Sequence, residues 1–451
     1  MLKSLSGDIN GGRLAMGSKN LSHDATWSRP AIADIEVALL RAAAFPELSQ
    51  ESGLRHEFIV LDPSADANAP EREDVIERVL VTANRMAMPV MVVGHQSHPR
   101  FGAGGFETTA DDRDALNDAA FSKALAALQD RVGWVLTGSR FNHNRHIFVP
   151  QMDMALLAIV VDLLSQMKPE ARPFVHLASR VDAGQFANRE RFGDVERFGR
   201  AIHQLNTDRP RVFVYGWSPR VAHRLGLQMG IGVQPLDLPP ELALLDEPAR
   251  MPDRFTAGYF SSSAEGEGLE HVEAVIRAAN AAVDQRRFRF VVQIKPNPVT
   301  GTFSPFAEAV RARLSALPAG NVTVIDQAMP RRLYLDAIRQ VDAVMLLRPT
   351  HSATGERISL TATHAMAAGK LILTFDDAEI ASVVKSRVFR ASDAAHLGEI
   401  VGDLASDLRG VRTAARVARS AHFATMRPSR LFAQLLYGPL ILANASGHEV
   451  I

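Results

Sequence analysis

The stretch from residue 342 to residue 377 contains the side chains best placed for chemistry, Glu356 and His364. Its pattern predicts a buried strand, a polar loop, a helix that opens near Glu356, a glycine that ends this helix, and a second buried strand. The small polar residues Gly355 and Ser359 flank the predicted helix start, where backbone N–H groups lack partners and the helix dipole is positive. Such an end at the carboxyl edge of a parallel sheet binds phosphate groups.

Each of the two side chains also has a purely structural interpretation. Glu356 in a first helical turn would stabilise the helix dipole by about 0.3–1 kcal/mol. His364 lies eight residues further on, which puts it on roughly the same helix face. A neutral imidazole has one acceptor nitrogen for a ligand, but a core histidine bonded to a carbonyl is an equally good interpretation.

The same stretch resembles the nucleotide-sugar motif of GT-B glycosyltransferases, especially the retaining family 4 and related glycosyltransferase-like proteins. Their pattern is a glutamate, seven residues, a second glutamate, and a small-residue helix end of the form AMAxGxP. Glu356 matches the first glutamate, whereas His364 stands at the second and Leu371 replaces the proline. Upstream of the motif, the segments GYFSSSAEGEGLEHVEAVIRA, RFRFVVQIKPNP and YLDAIRQVDAVMLL occur in the order that such C-terminal domains show, so the resemblance covers about residues 255–390.

This resemblance implies roles for particular residues. Glu356 would hydrogen-bond hydroxyls of the donor sugar beside a developing positive charge, which a carboxylate stabilises. His364 would take the place of the glutamate that accepts hydrogen bonds from the ribose. The loop 261–268 stands where the family holds the diphosphate with arginine and lysine, but here it offers no cation. Its hydroxyls and backbone N–H groups could still bind phosphate, and the candidate residues are Ser261, Ser262 and Ser263.

Two cations elsewhere could replace the missing ones. Lys295 and Arg348 each follow the carboxyl end of a predicted strand. Lysine binds phosphate as a point charge, and arginine can grip two oxygens. Either residue could instead be a solvated loop charge.

Two loops of the N-terminal half are candidates for the acceptor side. The loop 94–106 follows an apolar strand and carries His95, His98 and Arg100. By the resemblance, His95 would hydrogen-bond a donor hydroxyl near the reacting sugar. The loop 139–146, which contains Asn142, is expected to follow another strand, although an ordinary exposed loop is an alternative. The spacing of the two histidines suits a metal, but no carboxylate or cysteine lies within reach in the sequence, so we expect no metal and no cofactor.

Composition narrows the class of protein. The 451 residues are 47% hydrophobic, which is enough for two domains with separate cores. Lys+Arg and Asp+Glu both number 50, so no overall charge favours a nucleic acid partner. The absence of cysteine excludes disulfides and thiolate chemistry and fits a reducing compartment. No signal-peptide pattern opens the chain, so we expect a cytoplasmic protein.

Strand and helix patterns alternate through most of the chain, which predicts mainly parallel sheets covered on both faces. Predicted strands are 56–61, 89–94, 133–136, 173–177, 211–215, 232–235, 256–260, 288–294, 322–325, 343–347 and 371–375. Predicted helices are 31–44, 71–86, 112–129, 153–166, 190–205, 218–229, a helix ending at 283, 305–317, 331–340, and further helices after 393.

The proline-rich segment 235–252 interrupts this alternation and is the predicted linker. We therefore predict an α/β protein with two Rossmann-like, doubly wound domains that face a cleft, the GT-B plan. The predicted limits are a loose lead-in at 1–28, an N-terminal acceptor domain at 29–240, a linker at 241–252, a C-terminal donor domain at 253–408, and C-terminal helices at 409–451 that could return to the N-terminal domain.

The segment 409–430 carries six arginines, and no acidic residue lies between Arg409 and Gly447. A basic helix can contact anionic lipid, which would suit a lipid-linked acceptor and a location at the inner face of the membrane. The alternative, favoured by its poorly segregated apolar residues, is a helix that packs across the domain interface.

The sequence thus predicts a glycosyltransferase that moves a sugar from a nucleotide-diphosphate donor to a glycan, lipid-linked or protein acceptor in polysaccharide or glycoconjugate assembly. The resemblance implies retention of the anomeric configuration without an essential metal. Two alternatives remain open: a GT-B sugar-nucleotide epimerase, and a non-catalytic binding protein with the same fold.

Overall fold

The structure is a computed structural model. It describes residues 57–63, 70–85, 90–94, 116–137, 145–186, 189–236, 238, 241, 244, 251–261, 263, 265–266, 268–297, 301–317, 320–347, 359–375, 388–425, 430–432 and 434–436. The predicted lead-in at 1–28 and the predicted helix at 31–44 lie outside these residues. Across this described part of the chain, no helix has both the length and the apolar character needed to cross a membrane.

The first lobe is built on a six-stranded parallel sheet in the order β2-β1-β3-β4-β5-β6. Its strands are β1 (Glu57–Asp62), β2 (Val90–Gly94), β3 (Arg145–Val149), β4 (Phe174–Ser179), β5 (Val212–Gly216) and β6 (Gln234–Pro235). Its helices are α1 (Pro70–Arg85), α2 (Asp118–Thr137), α3 (Met154–Gln166), α4 (Arg189–Phe192), α5 (Glu196–Leu205) and α6 (Pro219–Met229). Buried side chains lie on both faces of the sheet, as expected of parallel strands covered by helices.

Helix starts in this lobe follow the capping residues of the sequence. The Asp153 carboxylate accepts a hydrogen bond from the N–H of Leu156 at 2.7 Å and begins α3. The Ser218 hydroxyl does the same for Val221 at 3.1 Å, one residue before a proline that suits the first helical position of α6. The predicted helices 153–166 and 218–229 are confirmed within one residue for this reason.

Two predictions for the first lobe are wrong. The segment 133–136 is not a strand but the end of α2, where Leu128, Val132 and Val135 are buried at helical spacing. The strand that follows is β3, which the sequence analysis missed because its first two residues are charged or polar. The prediction that the loop 139–146 follows a strand is therefore wrong, because the element described before it is α2, and residues 145 and 146 belong to β3.

A third difference concerns the predicted helix 190–205, which is two helices, α4 and α5. Gly193 between them has a φ of 73°, the left-handed conformation that commonly ends a helix. The chain leaves the helical conformation at Gly193 and becomes helical again at Glu196, where α5 begins.

The second lobe is a second six-stranded parallel sheet in the order β12-β11-β10-β7-β8-β9. Its strands are β7 (Phe255–Tyr259), β8 (Phe288–Gln293), β9 (Val322–Ile325), β10 (Ala343–Leu346), β11 (Leu371–Phe375) and β12 (Val388–Ala391). Its helices are α7 (Leu269–Ala282), α8 (Pro305–Ser315), α9 (Arg331–Gln340), α10 (Leu360–Ala367), α11 (Ala394–Ser406) and α12 (Leu408–Thr425). Only β12, four residues long with an exposed arginine, was not predicted.

The chain ends its described course on the first lobe. Leu431, Phe432 and Leu435 are buried in the same apolar cluster as residues of β1 and α1. The ring of Phe432 meets that of Phe58 edge to face, with centroids 5.1 Å apart. The C-terminal segment thus connects the two lobes a second time, and the predicted α/β class with two doubly wound sheets is confirmed.

Candidate functional site

Residues after β7 and β8 meet at the carboxyl edge of the second sheet. The two strands are parallel neighbours, so the loops that follow them leave the sheet side by side. The Ser263 hydroxyl accepts a hydrogen bond from the backbone N–H of Lys295 at 2.7 Å. Two predicted site residues that are far apart in sequence are thereby brought together, with Ser261 in the same loop. This edge is where doubly wound sheets bind phosphate-containing ligands.

The first turn of α7 adds two polar residues at this edge that the sequence analysis did not single out. The Glu270 carboxylate accepts from the N–H of Gly268 at 3.2 Å, and Nε2 of His271 lies 3.8 Å from its other oxygen. The imidazole of His271 meets the ring of Phe375 edge to face at 5.2 Å, at the end of β11. The first turn of a helix after a Gly-rich loop was the available signal for these residues.

The helix of the sequence motif, α10, starts later than predicted. It begins at Leu360 rather than near Glu356, because the Ser359 hydroxyl accepts from the N–H of Ala362 at 3.2 Å and caps it. The small residues that follow, Ala362, Ala365 and Ala367, are buried. Gly369, with a φ of 68°, ends the helix, and a Cβ there would lie 2.2 Å from the carbonyl oxygen of Ala415 in α12.

The structure places His364 inside the second lobe. Its side chain is buried, and Nδ1 lies 3.1 Å from the hydroxyl of Tyr334 in α9. The two rings meet edge to face with centroids 5.4 Å apart. The partner at this nitrogen is a tyrosine hydroxyl, where the sequence analysis had expected a carbonyl or a ribose. The ribose-binding role of His364 stays a prediction.

The remaining site predictions lie outside the described residues and stay predictions. These are Glu356, Gly355, Arg348, Ser262, His95, His98, Arg100 and Asn142.

A buried polar cluster joins the two lobes, and no local pattern in the sequence pointed to it. Nη2 of Arg78 in α1 donates to the Thr363 hydroxyl in α10 at 3.1 Å, 285 residues away in sequence. Nε of Arg78 lies 3.9 Å from Glu241, and the same carboxylate pairs with Arg331 of α9. The pKa of His422 is lowered to about 4, mainly by burial and also by the positive charge of Arg78. The His422 imidazole is therefore neutral at pH 7.

The basic helix α12 uses one of its arginines inside the second lobe. Nε of Arg412 donates to Asp342 at 2.8 Å, and an Nη donates to the carbonyl of Pro252 at 2.6 Å. The Asp342 carboxylate in turn accepts from the N–H of Thr256 at 2.9 Å. This arginine ties the start of β7 to the start of β10 within the second lobe, and packing of the helix across the domain interface stays a prediction. Lipid contact by the other arginines stays a prediction.

No known protein-family model matches the chain, and no curated protein sequence does. Solved structures do match it. Sucrose-phosphate synthase from Thermosynechococcus elongatus superposes with a TM-score of 0.57 at 13% identity, over 87% of this chain and 99% of the other. An α,α-trehalose-phosphate synthase (UDP-forming) from Burkholderia vietnamiensis gives 0.61 at 12% identity, over 88% and 99%. HepE from Anabaena, in complex with UDP-glucose, gives 0.52 at 12% identity, over 86% and 99%.

These neighbours are GT-B glycosyltransferases, and the predicted GT-B fold is confirmed. At such low identity the likeness establishes the fold and leaves the activity to the site itself. Within the described ranges, no three His, Asp or Glu side chains come together as a metal ion would require.

Proposed function

We propose that this GT-B chain is a glycosyltransferase that uses a nucleotide-diphosphate sugar as its donor. The observation that carries the proposal is the meeting of Ser263 and Lys295 at the carboxyl edge of the second sheet, within a fold whose solved neighbours include a complex with UDP-glucose. Serine hydroxyls, backbone N–H groups and a lysine ammonium group are donors of the kind that bind a diphosphate.

The proposed mechanism assigns roles to two cations and one carboxylate. Lys295, with Arg348 as a second cation, would stabilise the departing diphosphate in place of a metal ion. Glu356 would face the anomeric centre, where its carboxylate stabilises an oxocarbenium-like transition state. Retention of configuration follows from the resemblance of the motif around Glu356 and is part of the proposal. Closure of the lobes would exclude water and slow hydrolysis of the donor.

The acceptor would enter from the first lobe, beside the loops that carry His95 and Asn142. A glycan, a lipid-linked sugar or a protein are all compatible with such a site. Exposed arginines of α12, such as Arg409 and Arg416, would suit an acceptor held at an anionic lipid surface.

A nucleotide screen tests the proposal. Thermal unfolding of the full chain with UDP, GDP, ADP and their sugar conjugates should show a raised melting temperature for one nucleotide, because a ligand of the native state stabilises it. Product analysis with that donor and a panel of acceptors should then show transfer, and Glu356→Ala should abolish it while the unfolding curve is kept.

Two other results would replace the proposal. Release of nucleotide and a rearranged sugar from donor alone would identify an epimerase. Binding without turnover, or no binding, would indicate a non-catalytic protein. Two observations favour the non-catalytic alternative. Loop 261–268 carries no arginine or lysine, and Nδ1 of His364 contacts Tyr334.

A further inference from the structure

We propose that Arg78 is a positioning residue that reaches from the first lobe to hold α10, and with it the donor edge of the second lobe, in register for ligand binding. This inference rests on the proposed function for its link to donor binding. Its structural half, a fixed contact between the lobes, stands on the contacts alone.

The contact between Arg78 and Thr363 is buried on both sides. Arg78 and Thr363 are 3% and 7% exposed, and Glu241 beside them is 4% exposed. A charged guanidinium in such a place loses its hydration, so its hydrogen bonds and its ion pair must compensate. Removing one partner leaves the others buried without it, which makes the arrangement sensitive to single changes.

The polar cluster closes into a ring of contacts that spans the lobes. Glu241 lies in the connection between the two sheets and pairs both with Arg78 of α1 and with Arg331 of α9. One turn further along α9, Tyr334 contacts His364, the neighbour of Thr363 in α10. Helices α1, α9 and α10 therefore cannot shift independently, because each carries at least one member of the ring.

Apolar packing at the same place supports this coupling. Leu360, the first residue of α10, is buried in the cluster that includes Phe58, Trp217 and Leu431 around the first sheet. Leu360 thus packs against the first lobe, while Ala362, Ala365 and Ala367 of the same helix pack in a cluster of the second lobe. Since Ser359 caps this turn and directly follows the motif loop, the placement of α10 sets where that loop ends.

The tests use the full chain with substitutions of similar shape at Thr363 and at Arg78. Thr363→Val keeps the volume but removes the hydroxyl, which accepts from Arg78 and donates to the carbonyl of Leu360 within α10, whereas Thr363→Ser keeps this hydroxyl and serves as the control. Arg78→Met removes the guanidinium from the other side. Hydrogen exchange of the Leu360–Ala367 amides is measured without ligand, and the Kd of the nucleotide identified by the screen is measured by calorimetry.

We expect Thr363→Val and Arg78→Met to speed exchange in α10 and to raise the nucleotide Kd about fivefold or more, the range of typical coupling between sites. Thr363→Ser should behave as the parent, and the double variant should lose little beyond either single one. A role in general stability alone would speed exchange throughout the chain and leave the Kd of the folded protein unchanged.

Equal exchange and equal Kd for the valine and serine variants would overturn the inference, and this comparison remains decisive if Arg78→Met does not fold. If the parent binds no nucleotide, the proposed function fails on its own. The contact between the lobes is then judged by exchange in α10 alone, and unchanged exchange in Thr363→Val rejects it.

Discussion

The hydroxyl of Tyr334 lies 3.1 Å from Nδ1 of His364, and this contact joins helices α9 and α10 in the second lobe. Because His364 is 3% exposed, water cannot replace the tyrosine hydroxyl if it is removed. Tyr334→Phe should therefore lower the free energy of unfolding by about 1–2 kcal/mol.

Urea unfolding of the full chain measures this effect. A double-mutant cycle with His364→Leu separates the hydrogen bond from lost packing, and the coupling should be about 0.5–1.5 kcal/mol. Strictly additive losses would mean that the two side chains do not interact.

A second prediction concerns pH and the buried histidines of the first sheet. His176 Nε2 lies 3.1 Å from Nδ1 of His146, and its own Nδ1 lies 3.2 Å from the Tyr215 hydroxyl. Complete burial lowers the pKa of His176 from 6.5 to about 3. The folded state thus keeps this imidazole neutral at a pH where the unfolded chain binds a proton. The stability that depends on neutral His176 is present above pH 6.5 and is lost as the pH falls toward 3.

The slope attributable to His176 is at most about 1.4 kcal/mol per pH unit within that window. Denaturant unfolding at pH 7, 5.5 and 4.5 should show a shallower acid loss for His176→Gln than for the parent. His203→Gln, at an exposed position of α5, is the control and should keep the parent slope. Parallel curves for parent and His176→Gln would show that this imidazole does not contribute.

Elements of the fold could be predicted where the residues that determine them lie within the element itself. Capped helices such as α3 and α6, and apolar strands such as β5 and β11, were predicted because their patterns lie within one element. Strand β3 was missed because Arg145 and His146 are buried by distant partners. Arg145 donates to the carbonyl of Val135, and His146 contacts His176. No window around residue 145 contains those partners.

The candidate site shows the same difference between residues identified by a local pattern and residues placed by distant contacts. Ser263 and Lys295 could each be identified from their place after a strand, and parallel topology then brings them together. The contact of Arg78 with Thr363 could not be predicted, since it depends on how two lobes meet. The burial of His364 against Tyr334 likewise depends on the packing of α9 on α10. Local patterns thus predict which loops lie side by side at a sheet edge, and tertiary packing decides which side chains contact each other.

A third prediction concerns the end of α10. Gly369 has a φ of 68°, and a Cβ added there would lie 2.2 Å from the carbonyl oxygen of Ala415. Gly369→Ala should therefore cost about 1–2 kcal/mol for the left-handed backbone, plus the cost of moving α12 away.

Gly230 provides a matched control for the same measurement. It ends α6 with a φ of 67°, and the nearest atom to an added Cβ is 3.8 Å away, so Gly230→Ala carries the backbone cost without the clash. Equal losses in urea unfolding for the two alanine variants would show that α12 does not press on Gly369.

The fourth prediction tests the candidate cation at the donor edge. Lys295→Met removes the ammonium group of the residue whose backbone N–H donates to the Ser263 hydroxyl, and it keeps the apolar stem. A charge-assisted hydrogen bond to phosphate is worth about 1.5–3 kcal/mol, so the Kd for a nucleoside diphosphate should rise at least about tenfold. The rise should be smaller for the corresponding monophosphate, which has one phosphate fewer to contact. Calorimetry at two salt concentrations measures both, and the parent should lose more affinity on adding salt than the variant does.

Lys123→Met is the control for the loss of charge itself, because Lys123 is exposed on α2 of the first lobe. It lowers the net charge of the chain by the same amount and should leave both Kd values unchanged. If the two variants lose affinity equally, the effect is one of overall charge, and Lys295 does not contact the phosphates. If only Lys295→Met loses affinity, and loses more for the diphosphate, then this edge of the sheet holds the diphosphate although loop 261–268 has no cation of its own.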